Sequence, residues 1–231
     1  MSEKQHIFLV EDDLSFGAVL KSYLELNDFE VSWVDDGKFA FERFKSGVFQ
    51  ICILDVMLPN VDGFTIGRHI RQLNQDIPIV FLTAKALKED ILKGYNVGAD
   101  DYITKPFDTE VLLCKIQAII KRQSVKPANA ETLFIIGSYQ FNYKLRSITR
   151  NQQKQKLSPK EADLLHLLCQ HKNELLPRDT ALRKIWGDDG YFTARSMDVF
   201  ITKLRKYLKD DPAIEIKNIH GSGFLLEEKT N

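Results

Sequence analysis

The chain has 231 residues, enough for one or two domains, with two the better fit to ordinary domain size. Hydrophobic residues make up 44% and charged residues 28%, a balance that builds a core and excludes a disordered chain. The formal charge is zero, but residues 1–122 carry 14 Lys+Arg against 19 Asp+Glu and residues 123–231 carry 18 against 13, so an acidic half (−5) is joined to a basic half (+5) suited to an anionic partner.

The amino terminus, MSEKQHIFLVEDD, has a short apolar run followed at once by three acids, which is no signal peptide. No run approaches about 18 apolar residues, so no membrane span and a cytoplasmic location are expected. Short apolar runs then recur at Ile7–Val10, Glu30–Val34, Ile51–Leu54, Ile79–Leu82 and Asp101–Ile103. They read as strands covered on both faces. Helix-period sequence follows each, near 14–27, 37–46, 63–74, 85–97 and 108–122. Gly98 suits a helix C-terminus and Asp108 an N-cap. Strand alternating with helix predicts an α/β doubly wound, five-stranded parallel sheet over residues 1–122. Cys52, Cys114 and Cys169 are far apart in apolar runs and lack disulfide or zinc spacing, so buried free thiols in a reducing compartment are expected.

Polar residues cluster where the predicted strands end: Glu11, Asp12 and Asp13 after the first, Asp55 at the third, Thr83 at the fourth, Lys105–Pro106 after the fifth. In a doubly wound sheet these ends share one edge, where ligands bind. Carboxylates at ~4 Å repel by on the order of 4 kcal/mol at an effective dielectric of about 20. A divalent cation removes that cost, and oxygen ligands with room for water suit Mg²⁺ or Mn²⁺. A carboxylate beside such an ion can attack phosphorus, with a Thr hydroxyl and a Lys ammonium to hold the new phosphoryl oxygens. Taken singly, each residue has a plainer role, as a cap or a solvated turn residue. The inference rests on their shared edge.

Residues 123–132, QSVKPANAET, are polar, contain Pro and lack apolar periodicity, as a linker does. Leu133–Ile136, Tyr139–Tyr143 and Arg146–Thr149 are predicted antiparallel strands, with turns at Gly137-Ser138 and Asn151-Gln152. Ser158-Pro159-Lys160-Glu161 opens a helix with a capping box. A second helix is predicted near 179–186, a loop over Gly187–Phe192, and a third helix near 194–209. In the third, Met197, Phe200, Ile201, Leu204 and Leu208 make one apolar stripe. The opposite face holds Arg195, Val199, Thr202, Lys203 and Lys206, flanked by Arg205 and Lys209. A basic face is ordinarily just solvated. Val199 within it suits a thymine methyl, and Arg and Lys suit guanine edges or phosphates. Ile214–Ile219 and His220-Gly221-Ser222-Gly223-Phe224-Leu225 read as a closing hairpin, with His220 a surface or DNA-backbone residue.

Two groups of motifs resemble known families. Val10-Glu11-Asp12-Asp13, Leu54-Asp55-Val56-Met57-Leu58-Pro59 with Asp62-Gly63, Leu82-Thr83-Ala84, Gly98-Ala99-Asp100-Asp101-Tyr102 and Lys105-Pro106-Phe107 resemble the two-component receiver domain. That resemblance implies strand order 2-1-3-4-5 and Asp55 as phosphoacceptor from a sensor histidine kinase. It implies Mg²⁺ on Glu11, Asp12, Asp55 and the Met57 carbonyl, Thr83 and Lys105 as phosphoryl sensors, Tyr102 as an aromatic switch, and a cis Lys105–Pro106 bond. Leu157-Ser158-Pro159-Lys160-Glu161, Ile185-Trp186-Gly187, Arg195-Ser196-Met197-Asp198-Val199-Phe200-Ile201, Leu204-Arg205-Lys206 and Gly221-Ser222-Gly223-Phe224 resemble the OmpR/PhoB winged-helix effector domain, here 133–231. That implies a recognition helix over 194–209, a wing over 214–226, and a loop towards RNA polymerase at Gly187–Phe192.

The DNA contacts expected are Arg195, Val199, Thr202, Lys203, Arg205, Lys206 and His220, on double-stranded promoter DNA. His220 stands where the family usually has Arg, and Phe224 where it has Tyr, which departs from the usual minor-groove wing. Family members pair charges across a homodimer. Here Asp100, Asp101 and Lys115 keep part of that pattern, while Ile91, Val97, Val111 and Ala118 replace charges, so a more apolar and less salt-sensitive dimer is expected. The function expected is a phosphorylation-controlled transcription regulator rather than an enzyme. One alternative keeps the fold but makes DNA binding independent of Asp55 phosphorylation. A remoter one is an aspartyl-nucleophile phosphohydrolase, which wants an acid where Met57 stands.

Overall fold

In the computed structural model, which describes residues 4–84, 93–94, 96–124, 132–187 and 191–229, the apolar runs of the first half are strands β1 (Gln5–Val10), β2 (Phe29–Val34), β3 (Ile51–Asp55), β4 (Ile79–Thr83) and β5 (Asp101–Thr104). All pair in parallel, in the order β2-β1-β3-β4-β5. The order carried over with the receiver resemblance is the order found. Every residue of β3 and β4 is buried, because helices cover both faces of the sheet. Ile7, Leu9, Ile53, Val80 and Leu82 pack on one face with Leu112 and Ile116. Phe8 packs on the other against Phe44 and Phe49, at 5.6 and 5.0 Å between ring centroids.

The helices are α1 (Leu14–Leu26), α2 (Gly37–Lys45), α3 (Gly63–Leu73) and α4 (Thr109–Ser124). The helix predicted over 85–97 lies mostly outside the described residues, and 93–94 and 96–97 within it are helical. Three helices that follow strand ends share one device. Asp13, Asp36 and Asp62 N-cap α1, α2 and α3, accepting from backbone N–H groups at 2.9–3.0 Å. Each such cap is worth about 1 kcal/mol. Asp108 accepts Glu110 N–H at 2.7 Å and starts α4 as expected.

The chain divides into two compact units, Met1–Val125 and Lys126–Asn231, and the division falls inside the predicted linker. In the second unit β6 (Leu133–Ile136), β7 (Tyr139–Asn142), β8 (Ser147–Arg150) and β9 (Gln153–Lys156) form an antiparallel sheet in sequence order. Helices α5 (Pro159–Gln170), α6 (Arg178–Trp186) and α7 (Tyr191–Leu208) follow, with β10 (Leu175–Pro177) between α5 and α6. β11 (Ile214–Ile219) and β12 (Gly223–Glu228) close a sheet of order β10-β12-β11. β9 and β10 have no counterpart in the sequence reading. β9 reads Gln-Lys-Gln-Lys, with no apolar alternation, and β10 has three residues ending in Pro. Tyr191 and Phe192, expected in a loop, begin α7, since no breaker separates them from the helix; residues 188–190 lie outside the described residues.

Gly223 fixes where the hairpin meets β10. A Cβ there would lie 2.0 Å from the Leu176 carbonyl oxygen. Gly223→Ala is therefore expected to destabilise this unit by about 2–3 kcal/mol, an overpacking cost borne by backbone that has nowhere to move. Urea denaturation of the full chain, followed by circular dichroism, checks it; an unmoved midpoint refutes it.

Candidate functional site

The carboxyl ends of β1, β3, β4 and β5 bring the singled-out residues together. Glu11 continues the β1–β2 ladder through its N–H to the Val34 carbonyl (3.0 Å), which leaves its side chain 1% exposed. Asp55 ends β3 at 5% exposure, and Asp12 is exposed. Carboxylate oxygens of Glu11, Asp12 and Asp55 all lie within 4.8 Å of one another. Lys105 reaches in from beyond β5, its Nζ 2.7 Å from Glu11 Oε2 and 2.5 Å from Asp55 Oδ2, partners 94 and 50 positions away. Thr83 ends β4 fully buried, and its carbonyl accepts Lys105 N–H at 2.7 Å. The Lys105–Pro106 bond is cis, as the resemblance implied. The Asp13 side chain caps α1, while its backbone N–H donates to the Glu11 carboxylate.

The electrostatics are those of a charge-crowded pocket. Burial pushes the Glu11 carboxyl up to about 7; the Lys105 hydrogen bond pulls down, and the Asp55 charge pushes up again. Burial pulls the Lys105 ammonium down, but the hydrogen bonds and charges of Asp55 and Glu11 outweigh it and hold it above the usual lysine range. The donor set is three carboxylates, one of them open to solvent, which fits a hard divalent cation that keeps some of its water. The lysine leaves that set short of balance on its own. Bound magnesium would hold Glu11, Asp12 and Asp55 together and draw charge from phosphoryl oxygens beside them.

Several supporting residues were not singled out from sequence. Lys105 Nζ sits 4.4 Å from the Phe16 ring centroid, Phe16 meets Phe107 edge-on at 5.8 Å, and Trp33 Nε1 donates to the Glu11 carbonyl at 2.9 Å. Asp55 Oδ1 accepts Met57 N–H at 2.7 Å, which orders the loop carrying the Met57 carbonyl. A Cβ at Gly63 would lie 2.0 Å from the Asp55 carbonyl oxygen, so only glycine lets α3 start against the acceptor. Asn60, at φ +64°, donates to both Asp36 oxygens at 3.1 Å and ties the same loop to α2. The Asp62-Gly63 pair and Phe107 were visible in the sequence, whereas Phe16 and Trp33 carried no signal of their own. Tyr102 is half-buried with its ring 6.4 Å from Phe81, and Gly94 leaves it room, since a Cβ there would lie 2.9 Å from the Tyr102 ring.

The expected dimer residues divide. Ile91 lies outside the described residues. Val111 is exposed and Asp101 pairs with Lys115 at 2.8 Å within the chain. Asp100 corrects the expectation of a surface charge. It is 5% exposed, accepts Ile79 N–H at 3.0 Å and Arg71 Nη2 at 3.2 Å, and so pins the start of β4 to α3 inside one chain. The cysteines also depart in part. Cys52 is buried and Cys169 partly so, its thiol pushed by burial up to about 12, but Cys114 is exposed on the face of α4 away from Leu112 and Ile116.

In the second unit the predicted stripe of α7 is core: Met197, Phe200, Ile201, Leu204 and Leu208 are all at most 2% exposed. On the outer face Thr202 and Lys206 are exposed and Val199 is half-buried, while the Arg195 side chain lies outside the described residues. His220 is exposed at the hairpin tip. Lys203 departs from the expected outward placement, and Arg205, exposed on the flank as expected, is engaged by its own unit. Lys203 Nζ is 3.2 Å from Glu161 Oε1. Arg205 donates to the Ile216 carbonyl from Nε (2.8 Å) and Nη2 (2.5 Å), and to Asn218 Oδ1 (2.9 Å). Both sit at the helix flanks, about 100° from Leu204 on either side, close enough to the core for neighbouring elements to capture them. Arg178, which sequence reading passed over, bridges Asp198 (2.9 Å), the Ala194 carbonyl (2.5 Å) and the ring of Phe224 (5.5 Å).

Comparison with known proteins agrees on both units. The family described as response regulator receiver domain matches residues 7–117, and that described as transcriptional regulatory protein, C terminal, matches 152–226. Over 226 residues, 98% of this chain and 96% of the relative, the sequence is 49% identical to transcriptional regulatory protein RprY of Bacteroides fragilis. It is 36% identical over 225 residues to response regulator ArlR of Staphylococcus saprophyticus, covering 96% of this chain and 99% of that one. Among solved structures, DrrB, a Thermotoga maritima OmpR/PhoB homolog, aligns over 97% of this chain and all of its own at 28% identity with a TM-score of 0.50. A cysteine-to-aspartate mutant of RitR aligns over 97% of this chain and all of its own at TM-score 0.71 and 23% identity, a likeness of fold. Among the described residues no helix is long and apolar enough to cross a membrane.

Proposed function

The chain belongs to the response regulators of the OmpR/PhoB type, a receiver domain joined to a winged-helix DNA-binding domain, and from that premise we propose that phosphorylation of Asp55 controls how it binds promoter DNA. The observation that carries this reading is the convergence of Glu11, Asp12, Asp55 and Lys105 on one sheet edge. Asp55 takes phosphoryl from a phosphohistidine of a sensor histidine kinase: the carboxylate oxygen attacks phosphorus, the P–N bond breaks, and an acyl phosphate forms. Glu11, Asp12, Asp55 and the Met57 carbonyl would hold Mg²⁺ or Mn²⁺, which would offset charge on the phosphoryl oxygens. Thr83 and Lys105 then bond the phosphoryl oxygens, and Tyr102 follows into the space that Thr83 leaves.

The changed face, with Val111, Asp101 and Lys115, favours a homodimer. Two winged helices then meet tandem half-sites about one DNA turn apart, and linkage raises affinity through effective concentration. Arg195, Val199, Thr202, Lys206 and His220 are the DNA contacts, and residues 187–192 are offered to RNA polymerase. The protein acts in the cytoplasm as a regulator, its chemistry limited to its own acyl phosphate. Footprinting on genomic promoter fragments tests this: phosphorylated wild type is expected to protect DNA at concentrations about tenfold or more below those needed by Asp55→Ala. Equal protection would make binding independent of the modification.

A further inference from the structure

We infer that Lys203 and Arg205 are positioning residues, which brace the recognition helix α7 from its two flanks and leave DNA contact to its central face, Val199, Thr202 and Lys206. This rests on the DNA-binding reading above. On one flank Lys203 is 21% exposed and meets a Glu161 side chain that is 5% exposed. Glu161 is fully engaged: Oε2 accepts Ser158 N–H at 2.8 Å and so caps α5, while Oε1 takes Lys203 and, at 3.5 Å, the Tyr207 hydroxyl. A Lys203 that turned out to a phosphate would strand a buried carboxylate whose other partners are neutral. The Lys203 ammonium also lies 5.3 Å from the Phe200 ring centroid, beside the core.

On the other flank Arg205 spans to the wing. β11 is the edge of its sheet, and its outward Ile216 carbonyl is unpaired by any strand. The Arg205 fork covers that carbonyl and the Asn218 side chain, bridging a groove of about 500 Å³ between α7 and β11. The helix and wing therefore keep a fixed angle, and that angle decides which bases the central face meets. Thr202, Lys206 and Val199 lie within about 60° of the direction opposite the core stripe, where a major-groove helix presents its reading side chains.

The test uses the full-length chain, a random-sequence duplex, and duplexes selected by the wild-type protein from a random pool. Counterion release reports which cations touch phosphate. Lys206→Met is expected to lower the slope of log K against log salt by about 0.9, while Lys203→Met and Arg205→Met change it by less than about 0.3. The latter two are expected instead to lower the selected-to-random affinity ratio about tenfold, the signature of a misaimed helix. Glu161→Gln with Lys203→Met neutralises both partners and is expected to bring the ratio back to within about threefold of wild type, as a neutral replacement for a buried pair should. A slope loss of about 0.9 in Lys203→Met, or a double variant no better than the single, overturns the inference while DNA reading stands. A wild-type protein that shows no preference between the two duplexes overturns both.

Discussion

Asp55→Asn is expected to end phosphoryl uptake, with labelling from acetyl phosphate and Mg²⁺ falling below about 1% of wild type, because the substitution removes the nucleophile. The replacement keeps the shape of the side chain. The Oδ1 contact to Met57 N–H (2.7 Å) can still be made, so the loop leading to Gly63 keeps its course. An amide oxygen is a poor nucleophile, and the lost charge also weakens the hold on a cation. Glu11 and Asp12 remain, but neither can stand in. Glu11 is buried and raised to about 7, which takes up much of its charge near neutrality, and Asp12 lies out in solvent. Mass spectrometry of borohydride-reduced protein locates the acyl phosphate. Label retained at the wild-type rate in Asp55→Asn would assign the acceptor elsewhere.

Lys105→Met is expected to cost the cation-free protein about 2–4 kcal/mol at pH 7.5, below the ~3–5 kcal/mol for a fully buried pair because the Lys105 side chain is 22% exposed. Methionine keeps an unbranched apolar stem but removes the ammonium, and with it the ammonium's 4.4 Å contact with the Phe16 ring. Without the ammonium, Glu11 and Asp55 lose the cation that both bond, with the Asp12 carboxylate beside them. Mg²⁺ at about 100 times its dissociation constant is expected to add about 2.7 kcal/mol to the variant, an amount on the order of what the missing ammonium costs it. Glu11 sets the pH dependence. Its folded value of about 7 lies above its ordinary 4.5, so its burial costs nothing below that ordinary value and the full amount once the pH passes about 7. The Lys105→Met deficit should therefore be smaller at pH 5 than at pH 8. Urea midpoints with and without Mg²⁺ decide the matter. A variant as stable as wild type in EDTA at pH 8 would show that the three carboxylates do not need the lysine.

The two substitutions probe different depths of legibility. Asp55 was readable because it breaks an apolar run just before Met57-Leu58-Pro59, and Lys105 because it precedes a proline after a strand. Their meeting at 2.5 Å follows from parallel strands that share a carboxyl edge. Phe107 stands in the Lys105-Pro106-Phe107 motif, but Phe16 and Trp33 were not readable, because an aromatic residue at helical or strand spacing looks the same whether it packs in the core or lines a charged pocket. Asp100 was misjudged for a related reason. A carboxylate after Gly98-Ala99 resembles a surface charge until Arg71, 29 positions earlier, is seen to reach it.

By itself the sequence determined most of the element types, the parallel direction of the first sheet, the apolar seam of α7 and the members of the acidic pocket, while the order of the strands came with the receiver resemblance. Periodicity, strand-end polarity and capping residues are local properties, and each sits within a few positions of its cause. Only the tertiary structure decided that the Asp13 side chain caps α1, that β9 and β10 exist, and that Lys203 and Arg205 are held by Glu161 and by the edge of β11. Those outcomes depend on which partner, tens of residues distant, offers a carboxylate, a carbonyl or a strand edge at hydrogen-bonding distance. A charged side chain at a helix flank can satisfy itself in water or against such a partner, and the choice is made by packing.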